Sequence, residues 1–321
     1  MALFRFLGNL LLAIILIALC GLVIGTAYGA IHLKARELQG LDYGATAGRW
    51  LWIENQPIYY RTWGPEDGRP LVLVHGYQVE GGETWVALGE MLAKSNVRVI
   101  AVDLRGFGHS ARVATRDYSV RQQALLLGAA LNQMGVQNAT LVTHGWGAAV
   151  ALQLASEQPQ FVRDVALIAP EIERNRPNLW RQAVRLPYLG HALIWAEQSG
   201  GPLWKAQQRQ SFADPSALSE EYWQRIEGPT RIVGTADALL AMAASPRDDD
   251  LPAILSTLPT PALILAGEAG VACPPEEAEA LAGQLRQAKV QIIAKAGDFA
   301  HIEQRAAVSQ AILQWALYDA R

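Results

Sequence analysis

The chain has 321 residues, of which 51% are apolar and 18% charged. This length fits one large α/β domain or two small ones and is ample for a packed core. With 27 Lys+Arg against 30 Asp+Glu the net charge is −3, so the basic footprint of a nucleic-acid-binding protein is absent and no nucleic-acid partner is expected. Two cysteines, Cys20 and Cys273, exclude a disulfide framework.

The N-terminal segment predicts a membrane helix. Leu10 to Ile31 is a run of 22 residues without a charge, and a helix of that length spans a ~30 Å hydrocarbon core. Residues 1–36 are therefore predicted to anchor a single-pass membrane protein. The alternative is a cleaved signal peptide with a cleavage site at Ala27-Tyr28-Gly29, but the apolar region of such a peptide is normally shorter. The side of the membrane that carries the C-terminal domain is not predicted, because positive residues flank the run at both ends: Arg5, Lys34 and Arg36.

Three glycines recur every four residues in this segment: Gly21, Gly25 and Gly29. On a helix they share one face and form a groove that another helix can approach closely. We therefore expect this face to contact another transmembrane helix, from a second copy or from a membrane-protein subunit. The alternative is the ordinary glycine content of membrane helices.

After a linker at 37–48, strands and helices alternate, which predicts a mostly parallel sheet covered on both faces by helices. Two strands are predicted around Glu54-Asn55-Gln56. Further strands are predicted at 71–74, 97–102, 139–143, 163–168, 262–266 and 290–294, and helices at 83–94, 119–134, 147–157, 275–287 and 302–317.

The alternation is interrupted at 172–257, which holds four of the ten tryptophans and helical patterns without a clear strand. We interpret it as an inserted helical lid whose aromatic side chains form mostly its own core. The domain built on the sheet then comprises 49–171 and 258–321.

Five segments, in order and spacing over residues 48–318, resemble the α/β-hydrolase superfamily. They are Leu71 to Tyr77 (LVLVHGY), Val102 to Ser110 (VDLRGFGHS), Ala139 to Ala149 (ATLVTHGWGAA), Pro261 to Pro275 (PALILAGEAGVACPP) and Ala296 to Gln304 (AGDFAHIEQ). The resemblance implies the α/β-hydrolase fold, with an oxyanion-hole-like backbone at Gly76, Tyr77 and Trp146.

The same resemblance places a nucleophile, an acid and a histidine at three positions, and none of the three residues fits. The elbow Thr143-His144-Gly145-Trp146-Gly147 carries Gly145 where the nucleophile stands. The acid turn carries Gly270 in place of Asp, and the histidine segment carries Asp298 in place of His. We therefore expect the catalytic triad to be lost.

Substitute groups are few. His301 and Glu171 are the candidates for a replacement base and acid, but His301 also matches an ordinary family histidine. Asp298, His301 and Glu303 have metal-ligand side chains, yet their positions before and on a helix make convergence doubtful, so no metal or cofactor is expected. Cys273 is expected to be buried and inert.

Two functions remain open. The favoured one is a membrane-anchored pseudoenzyme that acts as a binding module or accessory subunit of a membrane assembly, because a nucleophilic mechanism needs a nucleophile. The alternative is an active hydrolase of small apolar esters or amides with a non-standard site. The cleft beside the oxyanion-hole-like backbone is expected either to admit a small apolar ligand or to be filled by Trp146 and aromatic side chains of the lid.

Overall fold

The computed structural model describes residues 2–36, 47–77, 81–113, 117–172, 182–186, 189–198, 202–245 and 251–319. The predicted linker, 37–48, lies outside the described residues except for its last two positions. The proposed domain boundaries at 171/172 and 257/258 lie in the connections that follow β6 and precede β7, defined below.

The centre of the protein is an eight-stranded mixed sheet with the strand order β1-β2-β4-β3-β5-β6-β7-β8. Strand β2 runs antiparallel to β1 and β4, and every other neighbouring pair is parallel. The mostly parallel sheet predicted from the sequence is thus confirmed. The strands are β1 Arg49–Ile53, β2 Gln56–Trp63, β3 Arg69–Val74, β4 Val97–Val102, β5 Ala139–His144, β6 Val162–Ile168, β7 Ala262–Gly267 and β8 Ala288–Ile293.

Helices cover both faces of this sheet. Outside the insert, meaning residues 172–257, the chain has the N-terminal helix α1 Ala2–Arg36 and, in the sheet domain, α2 Val86–Ala93, α3 Val120–Gln133, α4 Gly147–Glu157, α10 Pro275–Gln284, α11 Ala300–Glu303 and α12 Arg305–Gln314. One apolar core lies between the sheet and α3 and α4, and a second lies on the opposite face beneath α2 and α12. The predicted helices at 83–94 and 302–317 are each divided in two. The first begins as a 3-10 turn over Gly81–Trp85, and the second breaks at Gln304, whose backbone leaves the helical region while its side chain donates to the Lys295 carbonyl (3.0 Å).

The described residues of the insert contain helices and no strand. They are α5 Leu189–Gln198, α6 Pro202–Gln210, α7 Glu220–Glu227, α8 Thr235–Ala244 and α9 Leu251–Leu255. Two of its tryptophans, Trp204 and Trp223, are buried against each other with ring centroids 5.6 Å apart. They belong to an apolar cluster that also contains Phe299 of the sheet domain; Trp180 and the side chain of Trp195 lie outside the description.

The N-terminal helix α1 contains an apolar stretch, Asn9–Gly29, that is long enough to cross a bilayer, a property that a signal sequence shares. Near the end of this stretch α1 packs against α5 of the insert. The three glycines of the predicted stripe differ in their surroundings: Gly21 and Gly25 are exposed, whereas Gly29 is buried within the chain. Only Gly21 and Gly25 are therefore open to a helix from another chain.

A partly buried ion pair supports the loop that follows β3. The Glu83 carboxylate accepts hydrogen bonds from the Arg61 guanidinium and lies 3.4 Å from Nε2 of His109. Burial by itself would raise the pKa of the Glu83 carboxyl, but hydrogen bonds from His109 and Arg61 outweigh it and hold that pKa below its usual value.

We expect Glu83→Gln to destabilise the protein by about 1–3 kcal/mol at pH 7, because it leaves the Arg61 charge uncompensated. A depressed pKa in the folded state gives stability that is present above the unfolded pKa and lost as pH falls through the folded one. The difference in the free energy of unfolding between parent and variant should therefore disappear as the pH falls below about 4.5. Thermal unfolding in mild detergent, followed by tryptophan fluorescence from pH 3.5 to 8, measures it; a gap that is constant with pH contradicts the prediction.

Candidate functional site

The candidate site lies at the carboxyl ends of the parallel strands, where the turn between β5 and α4 places Gly145 at its apex. Gly145 has φ +50°, a left-handed conformation that side chains other than glycine adopt at a cost. Its N–H donates to the Ile168 carbonyl and its own carbonyl accepts from the Glu171 N–H, both at 3.0 Å. A Cβ at this position would meet only the Gly76 Cα, at 3.8 Å. The elbow geometry and its open space are thus both present, without a nucleophile.

The segment after β3 is tied to the loop after β4 by a buried histidine and lies close against the elbow backbone. Nε2 of His75 accepts from the Leu104 N–H (2.9 Å), so Nδ1 carries the proton that is donated to the Gly76 carbonyl (2.6 Å). Burial lowers the pKa of His75, which keeps the ring neutral. On the other side Gly147 approaches so closely that a Cβ there would lie 2.5 Å from the His75 carbonyl oxygen. The two backbones that would frame an oxyanion hole are therefore fixed relative to each other.

Aromatic rings pack beside this frame. The Tyr77 ring lies 5.6 Å from the ring of Trp146 and 5.4 Å from that of Phe107, edge to face in both contacts. Trp146 is 6% exposed. Of the two expectations for the cleft, this arrangement favours the one in which Trp146 fills it. Among the described residues, the aromatic partners Tyr77 and Phe107 come from the loops after β3 and β4.

The acid turn after β7 is closed by a side chain from another segment. Oδ1 of Asp298 accepts hydrogen bonds from the backbone N–H groups of Val271 and Ala272, both at 2.9 Å. A Cβ on Gly270 would lie 2.9 Å from the Cys273 carbonyl oxygen and 3.2 Å from Oδ1 of Asp298. Asp298 thus occupies the space next to Gly270, and the residues at these two predicted triad positions fit each other.

Asp298 is 3% exposed. Burial raises the pKa of its carboxyl, although backbone N–H groups of the acid turn and the Ser211 hydroxyl act in the opposite direction. Its own N–H donates to the Ser211 carbonyl (2.8 Å), and its carbonyl lies 3.1 Å from Nε2 of His144. Oδ1 of the carboxylate therefore serves as an acceptor for the turn, whereas Oδ2 is buried without a hydrogen-bond partner among the described residues.

A segment of the insert, Ser211 to Asp214, seals this region; we call it the strap. A Cβ on Gly297 would lie 2.3 Å from the Ser211 carbonyl oxygen, and the Phe212 ring stacks on Phe299 with centroids 4.7 Å apart. The Glu303 carboxylate joins the two segments, because it accepts from the N–H groups of Gly297 (2.7 Å) and Asp214 (2.9 Å). The sequence analysis missed the strap and the role of Glu303, since neither leaves a local pattern.

The candidate substitutes are dispersed. His301 is 1% exposed and packs on Trp85 and His144, with centroids 4.5 and 4.7 Å away, on the sheet face opposite α4. Burial, together with His144 and Arg305, holds the pKa of His301 well below its usual value, so the ring is neutral. Glu171 is closer, since its N–H contacts Gly145 and its side chain is partly exposed.

The metal-ligand types do not converge either. Asp298 bonds the acid turn, His301 packs on Trp85, and Glu303 bonds the strap. Within the described ranges no three His, Cys, Asp or Glu side chains form a group that would hold a metal ion. Cys273 is 1% exposed, and burial, with Glu277 and Asp298, raises the pKa of its thiol to about 12, so it is not an activated nucleophile.

Comparison with known proteins identifies the family to which this fold belongs. Residues 69–304 match the family model described as the alpha/beta hydrolase fold. The chain is 31% identical over 293 residues to the dihydrolipoyllysine-residue acetyltransferase component of an acetoin cleaving system from Pseudomonas putida, a match that covers 89% of this chain and 70% of that protein. Among solved structures it is similar to a thermophilic esterase from Thermogutta terrifontis, solved with malate bound, at 25% identity and a TM-score of 0.68, covering 84% of this chain and 97% of the esterase. Cfl2 from Burkholderia cenocepacia has the same fold at 22% identity and a TM-score of 0.70, with 86% and 98% covered.

The chain therefore belongs to the α/β-hydrolase superfamily, and its relatives include proteins named as enzymes.

Proposed function

We propose that this protein is a membrane-anchored α/β-hydrolase-fold pseudoenzyme that acts as a binding module or accessory subunit of a membrane assembly. One observation carries the proposal: the elbow apex is Gly145, with no side chain to attack a substrate. The fit between Gly270 and the Asp298 carboxylate supports it, because that carboxylate already has partners in the acid turn. The strap adds further support, since it covers the segment that carries the histidine in active relatives.

The second candidate is an active hydrolase of small apolar esters or amides. It is favoured by the intact elbow backbone and by the partly exposed Glu171, whose N–H bonds the Gly145 carbonyl. The frame at Gly76, Tyr77 and Trp146 is compatible with a small ligand that accepts hydrogen bonds from backbone amides. A panel of short-chain ester and amide substrates, with labelling by a serine-reactive phosphonate, separates the candidates. Neither turnover nor labelling is expected; turnover that Glu171→Gln abolishes would support the hydrolase.

We expect Gly145→Ser not to create an esterase, because a serine without a base remains a weak nucleophile. Space is available for the side chain, but the left-handed backbone should cost about 1 kcal/mol or more. Gly145→Ala is the matched control, since it imposes the same strain without a hydroxyl. Both variants should melt below the parent, and neither should hydrolyse p-nitrophenyl acetate above the parent's background. Faster hydrolysis by the serine variant alone would contradict the prediction.

The proposed partner is another transmembrane helix at the exposed part of the glycine stripe. Gly25 has nothing of its own chain within 4 Å of a Cβ, so Gly25→Leu should leave the fold and membrane insertion intact. It should nevertheless separate two closely packed helices and reduce the assembly size in mild detergent. Val23→Leu, on the opposite side of the helix and exposed, is the control. If parent, Gly25→Leu and Val23→Leu migrate as the same species, the stripe is not a contact face.

The membrane anchor is tested by carbonate extraction of membranes that contain the full chain. A 321-residue product should stay in the membrane fraction. Release into the wash, or a mature chain that begins near Ala30, would instead identify the N-terminal segment as a signal peptide.

A further inference from the structure

We propose that the insert is seated on the bilayer that α1 spans, with α5 in the headgroup layer and the side chains of Leu186 and Val233 in contact with lipid. The inference rests on the proposed membrane anchor and adds to it an orientation of the folded domain. The partner of the exposed face of the insert is the lipid surface itself, because the anchor helix and the insert are in direct contact.

The first observation is where the insert meets α1. Helix α1 packs against α5. Among residues 9–29 and 31, whose burial the structure describes, Thr26 and Gly29 are the buried positions. They fall in the last turn of the apolar stretch Asn9–Gly29, which at 1.5 Å per residue is about as long as a hydrocarbon core is thick. A spanning helix reaches the membrane surface at the end of its apolar stretch, so α5 lies at that level.

The second observation is that α5 is fixed to the rest of the insert. It runs antiparallel to α8, and Gly190 allows close contact because a Cβ there would lie 2.8 Å from Cδ2 of Leu240. The direction follows from three pairs along the two segments: Arg185 with Ala244, Gly190 with Leu240, and His191 with Asp237. Helix α5 therefore does not move independently of α8.

Helix α8 in turn is fixed to the core. The Met242 side chain fills the space next to Gly106, because a Cβ on Gly106 would lie 2.0 Å from Cε of Met242. The next residue, Phe107, has its ring centroid 6.0 Å from that of Trp146 at the elbow. A continuous packed path thus links α1, α5, α8 and the elbow, so the plane of the membrane fixes the orientation of the whole domain.

The third observation is the apolar exposure around α5. Leu186, three residues before α5, is 54% exposed. Val233, two residues before α8, is 52% exposed, and the antiparallel pairing brings it toward the C-terminal part of α5. Arg185, beside Leu186, is exposed as well and supplies a cation at the level of lipid phosphates. Two apolar side chains that flank the helix in contact with the anchor are suited to the membrane interface, where each buries apolar surface.

The test is lipid contact at single cysteines in the full chain. In a Cys20→Ser background Cys273 remains but is buried, so it does not react in the folded protein. A fluorescent label such as NBD is attached at Leu186→Cys or Val233→Cys, and the protein is reconstituted in phosphatidylcholine/phosphatidylglycerol vesicles at no more than one chain per vesicle. Lipids with a spin label near the headgroup should quench both labels by at least a factor of two, and iodide in the buffer should quench them weakly.

Labels at two control positions distinguish a failure of the membrane anchor from a failure of the proposed lipid contact. Tyr318 is 69% exposed near the amino ends of the strands, at the opposite end of the sheet, and a label at Tyr318→Cys should be quenched by iodide and not by lipid. A label at Ile17→Cys, in the middle of the apolar stretch, should be quenched by lipids spin-labelled deep in the acyl chain. If Ile17→Cys is not quenched, the anchor fails and this proposal fails with it.

If Ile17→Cys is quenched while the labels on the insert respond like that at Tyr318→Cys, the anchor stands and the seating on the bilayer is wrong. Protection of the insert labels from both lipid and iodide means that protein covers the face, which also overturns the proposal. Should Leu186→Cys fail to fold, the exposed neighbour Arg185→Cys gives the same measurement.

Discussion

Gly270→Asp should be the most destabilising of the single changes that return this chain toward the family's triad pattern. The new Cβ would lie 2.9 Å from the Cys273 carbonyl oxygen, so the turn must shift, and the new carboxylate would lie beside that of Asp298. Two carboxylates at about 4 Å repel by up to ~4 kcal/mol at an effective dielectric constant of 20, which one of them relieves by taking a proton. We expect a loss of about 3–5 kcal/mol in the free energy of unfolding at pH 8.

Two control variants separate the steric part of this loss of stability from the part caused by charge repulsion. Gly270→Ala adds the Cβ alone and measures the steric part. Asp298→His in the Gly270→Asp background exchanges the repulsion for a carboxylate–imidazole pair and should recover 1–3 kcal/mol as a coupling energy. Lower pH should also reduce the deficit of Gly270→Asp, because paired carboxylates have raised pKa values in the folded state and regain stability as pH falls. Additive effects of the two substitutions, measured by thermal and urea unfolding, would show that positions 270 and 298 are not coupled.

Asp298→Ala should cost about 2–4 kcal/mol, because it removes the acceptor of two backbone N–H groups, those of Val271 and Ala272. Asp298→Asn should behave differently. The amide oxygen still accepts both hydrogen bonds, and at pH 8 the variant avoids burying a charge. We therefore expect Asp298→Asn to be at least as stable as the parent at pH 8, whereas Asp298→Ala is much less stable.

The stability difference between the parent and Asp298→Asn should change with pH. Because burial raises the pKa of Asp298, its contribution is fully present below the unfolded pKa of about 3.8 and is lost as pH rises through the higher folded pKa. The stability of the parent relative to Asp298→Asn should thus increase from pH 8 to pH 4. Parallel unfolding curves of the two proteins test this, and a relative stability that decreases toward pH 4 contradicts it.

Much of the fold is predictable because its signals are local. Apolar runs such as Leu71–Val74 mark buried parallel strands, and His75-Gly76 ends one of them as the family resemblance implied. The hairpin at Glu54 and Asn55 is also predictable from sequence. Both residues adopt positive φ in a two-residue turn, and Asn tolerates this conformation well. The order of these motifs also predicts that positions 145, 270 and 298 correspond to the triad, before any geometry is known.

The sequence does not show which residues far apart in the chain contact each other. Nothing near Asp298 indicates that its carboxylate bonds the N–H groups of Val271 and Ala272, 27 and 26 residues away. The strap lies at least 83 residues before the Gly297–Phe299 segment that it covers, and only tertiary packing brings the two segments together. Likewise a four-residue glycine period does not distinguish Gly29, which the chain buries, from Gly25, which it leaves exposed.

The carboxylate at 298 also constrains which substitutions this domain can accept. A hydrolase triad needs a nucleophile, an acid and a base together, yet an acid at 270 would meet Asp298, and a histidine at 298 would remove the acceptor that closes the acid turn. Under the proposed function, each single substitution toward the triad is expected to lower stability without supplying the other two groups. The pair at 270 and 298 would then change only by simultaneous substitution, or in a domain already stabilised by substitutions elsewhere.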